Sequence, residues 1–145
     1  MNLKGEIMYS FFSKLKLIHR PYSNQTNEVL FPYELSEIQW GLIRYLSEIG
    51  PSTFTDVAAY WGVEKPSVTP IAQKLVEQEF IYISPGIDKR QKVMHLSPKG
   101  MEKYAQGREA MYLFQAQLLE GVSQEERKVA EEVLEKVSAN LLRRG

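Results

Sequence analysis

The sequence predicts a mainly α chain with one small β-hairpin, and three observations lead there. Apolar residues recur at three- and four-residue steps over most of the length, the spacing of helical faces. Two short helical patterns between Thr53 and Gln78 are separated only by Gly62-Val63. Directly after them, Phe80 to Leu96 reads as two strands around the turn Pro85-Gly86-Ile87. Paired short helices followed at once by a hairpin make a winged helix-turn-helix, framed here by long N- and C-terminal helices within a single domain, residues 1–145.

Taken from the N-terminus, Met8, Phe11, Phe12, Leu15, Ile18 and Tyr22 share one helical face, and Pro21 sits near the end of that helix. The polar segment from Pro21 to Pro32 is expected as a solvated loop. Ser36-Glu37-Ile38-Gln39 forms a capping box: the Ser36 hydroxyl accepts the Gln39 N–H and the Gln39 side chain returns to Ser36, so a second helix opens there. Ile38, Leu42, Leu46 and Ile49 are its buried face, and Gly50-Pro51 stops it. Thr53 caps a third helix with the stripe Phe54, Val57, Ala58 and Trp61, ended by Gly62 in the left-handed conformation. The fourth helix turns Val68, Ile71, Ala72, Leu75 and Val76 inward and Lys65, Ser67, Thr69, Gln73 and Lys74 outward. Phe80-Ile81-Tyr82-Ile83-Ser84 and Lys92-Val93-Met94-His95-Leu96 are rich in β-branched and aromatic residues and pair as an antiparallel hairpin. Ser97-Pro98 restarts helix, with serine as cap and proline at the first helical position. Met101, Tyr104, Ala105, Met111, Tyr112, Leu118 and Leu119 give it an apolar face until Gly121 breaks it. Ser123-Gln124-Glu125-Glu126 opens a last helix carrying Val129, Val133, Leu134, Val137 and Leu141.

Composition narrows the function. There is no cysteine, which removes disulfides, thiolate metal sites and thiol nucleophiles together and fits a reducing, cytoplasmic setting. No apolar run is long enough to span a bilayer, and Lys14 and Lys16 interrupt the apolar N-terminus where a signal peptide needs its hydrophobic centre. No membrane partner is expected. Neither His19 nor His95 has a companion at metal-site spacing, no serine and histidine are arranged for acyl transfer, and no glycine-rich phosphate loop is present. An enzyme is therefore not expected, nor a metal or cofactor.

The 18 Lys and Arg balance 18 Asp and Glu, so position matters more than sum. Glu120, Glu125, Glu126, Glu131, Glu132 and Glu135 make the last third acidic, whereas Lys89, Arg90, Lys92 and Lys99 crowd the hairpin with Asp88 as their local counter-charge. As a wing, this hairpin would place Arg90 in the minor groove of double-stranded DNA and Lys89 and Lys92 on phosphates. Asp88 would shape the turn through backbone N–H groups or orient a neighbouring cation. On the fourth helix Lys65, Ser67, Thr69, Gln73 and Lys74 are the major-groove candidates. Gln73 suits adenine in two-point fashion and Lys74 suits phosphate or guanine. The apolar stripes at the two ends have no intrachain partner long enough to cover them, so residues 1–34 and 101–145 are expected to build a two-fold homodimer around the DNA-binding region, residues 35–100. Zero net charge and Pro70 favour instead a winged-helix protein-interaction module that does not bind DNA.

In this order the residues resemble the MarR family of bacterial transcriptional regulators over nearly the whole chain. The most specific match is the wing pattern of Asp, any residue, Arg, five residues, Leu, then Thr or Ser, met by Asp88, Arg90, Leu96 and Ser97. Leu35-Ser36 with Gln39-Trp40, Val57-Ala58, and Ser67-Val68-Thr69 with Leu75 support it. The resemblance implies a repressor that binds a pseudo-palindromic operator under the control of a small, often aromatic, effector. Phe12, Tyr22, Trp40 and Tyr45 are the aromatic candidates for a pocket between the dimerising region and the DNA-binding module. Two positions depart from the family: Pro70 stands where many relatives have Arg, and Glu79 where they commonly place the glycine that ends the reading helix. Glu79 either strains that junction or ends the helix by another geometry.

Overall fold

A computed structural model describes residues 3–145, with side chains from Ser10 onward; the side chain of Met8 lies outside the described residues. The elements run α1 (Leu3–Leu30), a 3-10 turn (Phe31–Tyr33), α2 (Glu37–Ile49), β1 (Ser52–Thr53), α3 (Phe54–Trp61), α4 (Lys65–Glu77), β2 (Ile81–Pro85), β3 (Lys92–Leu96), α5 (Pro98–Leu118) and α6 (Gln124–Arg144).

The expected loop after Pro21 is instead helix. Pro21 has no N–H for the Leu17 carbonyl, but Leu17 is exposed and water can take that place. The polar residues that suggested a loop serve the next helix: the Ser23 hydroxyl donates to Glu37 Oε1 at 2.9 Å, and Asn27 Oδ1 accepts the Glu37 N–H at 2.7 Å. On the same stretch of helix Thr26 and Leu30, one turn apart, are buried. Tertiary partners outweigh the local signal.

The Ser36 capping box forms as expected, Ser36 N–H to Gln39 Oε1 at 2.9 Å and Gln39 N–H to Ser36 Oγ at 3.2 Å. The buried face of α2 is rotated from the expected one. Trp40, Leu42, Ile43, Tyr45 and Leu46 are buried, whereas Ile38 and Ile49 are 54% and 57% exposed. Because α2 packs against α1, α4 and β3 together, its broad aromatic flank is enclosed and the two end positions are left out. A short strand, β1, was not legible in the sequence, since two residues are too few to show alternation; it pairs Ser52 with Met94 and Thr53 with Val93. The antiparallel sheet order is β1-β3-β2.

Thr53 caps α3 reciprocally with Asp56, and Gly62 ends it with φ 67°. Phe54, Val57 and Ala58 are buried, Trp61 only half so. In α4, Val68, Ala72 and Leu75 are buried and Ile71 half-buried; Val76, expected inward, is exposed. The hairpin pairs Ile81 with Leu96, Tyr82 with His95 and Ile83 with Met94. Ile81 and Met94 enter the core, while Tyr82 and His95 stack on the opposite face with ring centroids 4.8 Å apart.

At the start of α5, Ser97 Oγ accepts the Gly100 N–H at 3.0 Å and donates to the Glu79 carbonyl at 2.6 Å. A Cβ at Gly100 would overlap the Phe80 carbonyl oxygen, and one at Gly107 would come 2.7 Å from the Trp40 ring. The packed edge of α5 therefore includes Gly100, Gly107 and Met111, whereas the expected Met101, Ala105, Tyr112, Leu118 and Leu119 are exposed. An edge built on glycines for close approach leaves no apolar signature.

Contacts group the chain into two compact units, Met1–Tyr112 and Leu113–Gly145, dividing within α5. In the second unit α6 opens on its capping box, where hydrogen bonds from the Ser123 N–H and hydroxyl hold the Glu126 carboxyl below its ordinary pKa. Val129, Val133, Leu134 and Leu141 on this helix are exposed. No described helix is long and apolar enough to cross a membrane.

Candidate nucleic-acid interface

The site is built from α4 and the hairpin. Pro66 lies in the first turn of α4, where a missing N–H costs nothing, but Pro70 is interior and leaves the Pro66 carbonyl without its helical donor. The helix nevertheless continues to Glu77. It closes with the Phe80 N–H on the Leu75 carbonyl and the Glu79 N–H on the Val76 carbonyl, both at 2.9 Å. Glu79 has φ 64°, so it adopts the left-handed conformation suited to glycine at a cost of about 1–2 kcal/mol. Of the two expected outcomes at this junction, strain is the one realised.

The wing turn spans residues 86–91. The Gly86 N–H meets the Gln91 carbonyl and the Gln91 N–H meets the Asp88 carbonyl, each at 2.8 Å. Asp88 Oδ1 accepts the Arg90 N–H at 3.1 Å. Asp88 thus orders the backbone of the turn, which leaves the cations around it free of its carboxylate. Among the described residues no ion pair engages Lys65, Lys74, Lys89, Arg90 or Lys92. Lys99, counted with the hairpin in the sequence, belongs to α5 instead. It lies 4.0 Å from the Glu79 carboxylate and 5.5 Å from the Phe80 ring centroid.

Lys65, Thr69 and Gln73 follow one another at four-residue steps on α4 and face Arg90 and Lys92 across a cleft of about 250 Å³. Thr53, Thr55 and Gln91 complete its polar lining. The lining holds three cations and no carboxylate, so the local potential is positive on a chain of zero formal charge. Such a groove suits an anion, and its hydroxyl and amide groups add donors for phosphate oxygens. Ser67 and Lys89 are exposed away from this cleft, and Lys74 borders a second cavity of about 510 Å³ with Phe31, Glu34, Gln39 and Gln78. Thr55 and Gln91 had no signal in the sequence beyond their neighbours: one is the second residue of α3, the other a variable position of the wing pattern.

The four aromatic candidates lie apart in character. Phe12 is exposed and meets Phe11 edge-on at 5.1 Å; Tyr22 is half-buried. Trp40 is buried and stacks on Tyr104 at 5.4 Å, and Tyr45 is buried with its ring 5.0 Å from Tyr60. Among the described residues no group of three His, Cys, Asp or Glu side chains could hold a metal ion.

Comparison with known proteins gives this geometry a context. The sequence model of the MarR family matches residues 33–91. The chain is 33% identical over 100 residues to YwoH, an uncharacterised HTH-type transcriptional regulator of Bacillus subtilis, covering 69% of this chain and 73% of the relative. A Staphylococcus aureus relative of the same description is matched over 65% of its length. Among solved structures, Staphylococcus aureus MarR in complex with salicylate and kanamycin superposes with a TM-score of 0.87 at 25% identity, over 97% of this chain and 95% of that one. A cysteine-to-serine mutant of MarR from E. coli, complexed with operator DNA, gives a TM-score of 0.82 at 19% identity, over 94% and 99%.

Proposed function

The chain belongs to the MarR family of transcriptional regulators, and from that premise we propose that it binds a pseudo-palindromic operator in double-stranded DNA as a homodimer and represses transcription there. The observation that carries the proposal is the cleft between α4 and the wing, whose lining holds no carboxylate and three cations that are in no ion pair among the described residues. Arg90 enters the minor groove beside the reading helix, Lys89 and Lys92 take phosphates, and Asp88 keeps the turn in shape. Ser67, Thr69 and Gln73 face base edges, with Lys65 and Lys74 on the flanking backbone or on guanine. The operator-bound E. coli structure of the same fold supports the assignment. Residues 35–100 form the DNA-binding region, and the exposed apolar stripes of α1 and α6, within 1–34 and 101–145, pair with a second copy. This is a regulator rather than an enzyme, and it acts in the cytoplasm, where its DNA is.

A small aromatic effector completes the proposal, supported by the salicylate complex of the S. aureus protein. Phe12, Tyr22, Trp40 and Tyr45 remain the candidate pocket. An effector reaching Trp40 must disturb its stack on Tyr104, and it controls DNA only by preferring one arrangement of the reading helices.

Selection of bound duplexes from a random pool at low salt tests the function. An inverted repeat is expected, and Arg90→Ala should weaken its binding and flatten the slope of log K against log[salt] by about 0.9. If no duplex is retained even at low salt, the protein-interaction alternative replaces DNA binding.

A further inference from the structure

We infer that Gln78 is a specificity-determining residue for half-site spacing, because it bolts the C-terminal end of the reading helix to the junction where α1 ends and α2 begins. Its side chain makes two hydrogen bonds there. Gln78 Nε2 donates to the Glu34 carbonyl at 2.7 Å, and Gln78 Oε1 accepts from Gln39 Nε2 at 3.3 Å. Gln39 is itself fixed, being buried and holding the Ser36 N–H on its Oε1 at 2.9 Å. On the far side, the Leu35 N–H bonds the carbonyl of Leu30, the last residue of α1, at 3.3 Å. A continuous path of hydrogen bonds therefore runs from the end of α1 to the cap of α4.

Backbone strain marks the same junction independently. Among the described residues, the only non-glycine residues with positive φ are Glu34 at 63° and Glu79 at 64°. The first supplies the carbonyl that Gln78 grips, and the second follows Gln78 in the chain. Such strain persists only where surrounding contacts hold it, and it collects at positions that must be set in one geometry. The cavity of about 510 Å³ alongside, lined by Phe31, Glu34, Gln39 and Gln78, leaves the junction room to rearrange if the bridge is lost. Gln78 lies outside the cleft that faces DNA, so it acts by positioning α4 and not by contact.

The inference rests on the proposed dimeric DNA binding, in which α1 belongs to the dimerising part. With the bridge intact, the angle of α4 follows α1, and the two reading helices are held at one separation. A set of duplexes carrying the selected half-sites at centre-to-centre spacings from about 8 to 12 bp, around one helical turn, provides the test. Wild type should prefer one spacing, and Gln78→Leu should erode that preference by about tenfold, the effect of two modest hydrogen bonds. Affinity for random duplex at low salt and the dimeric mass should stay unchanged. Gln78→Glu, which keeps the acceptor for Gln39 but sets a carboxylate against the Glu34 carbonyl, should behave like Gln78→Leu and decides the matter if the leucine variant does not fold. A uniform loss of affinity at every spacing, or an unchanged spacing profile, overturns the inference while leaving DNA binding intact. Absence of wild-type binding to any duplex overturns the functional proposal itself, and this inference with it.

Discussion

Glu79 puts a carboxylate-bearing side chain where the backbone asks for none. With φ 64° it bears the left-handed penalty that glycine avoids, and its ion pair with Lys99, at 4.0 Å and largely exposed, offsets little of it. Glu79→Gly should raise stability by about 0.5–1 kcal/mol, the relief of strain less the added freedom of glycine in the unfolded chain. In thermal unfolding this is a rise in Tm of about 2–4 °C; an unchanged or lower Tm would show that the junction is not strained. The capping residues Ser36, Thr53, Ser97 and Ser123 were legible because a cap needs only its own four-residue neighbourhood. Glu79 was legible only as a departure from a family habit, leaving its conformation open. Lys99 was misplaced because nearness in sequence to the wing is not nearness in space: one residue past the cap, the chain has already turned into α5.

Among the elements, α4 carries the sharpest internal conflict. Its buried edge, Val68, Ala72 and Leu75, holds it in place although Pro70 withholds a hydrogen bond from the Pro66 carbonyl. Pro70 is exposed, on the same side as Ser67 and Lys74 three before and four after it. Replacing it separates backbone from charge. Pro70→Ala and Pro70→Arg should each stabilise the protein by about 1–2 kcal/mol, as the carbonyl regains its donor. Only the arginine should also steepen the salt dependence of DNA binding, by about 0.9 in log K against log[salt]. Equal salt slopes in the two variants would place this side of α4 away from phosphate. The hairpin and α3 could be read from alternation, caps and a glycine stop, all local signals. The continuation of α1 through Pro21 could not, because the helix from Tyr22 to Leu30 depends on what Ser23, Asn27 and Leu30 find in α2 and the turn beyond it.

For the whole molecule, a formal charge of zero conceals a segregation: three cations without a carboxylate line the cleft, while α6 carries Glu125, Glu126, Glu131, Glu132 and Glu135. None of these carboxylates belongs to the lining of the groove, so neutrality overall is compatible with a positive groove. Apolar side chains are also exposed on the two terminal helices. Phe12, Leu17 and Ile18 on α1 are exposed, as are Val129, Val133, Leu134 and Leu141 on α6, the latter at the repeat of a helix that buries one side. The proposed two-fold operator requires a second copy as partner. If α6 supplies part of that interface, Val133→Lys combined with Leu134→Lys should give a monomer in sedimentation equilibrium at micromolar concentration while circular dichroism stays helical, since both residues are already solvent-facing in the single chain. Operator affinity should then fall by about 100-fold or more, because the second half-site is no longer tethered to the first. Binding to random duplex at low salt should persist, since the cleft lies within one chain. A variant that remains dimeric would remove α6 from the interface and leave α1 to provide it.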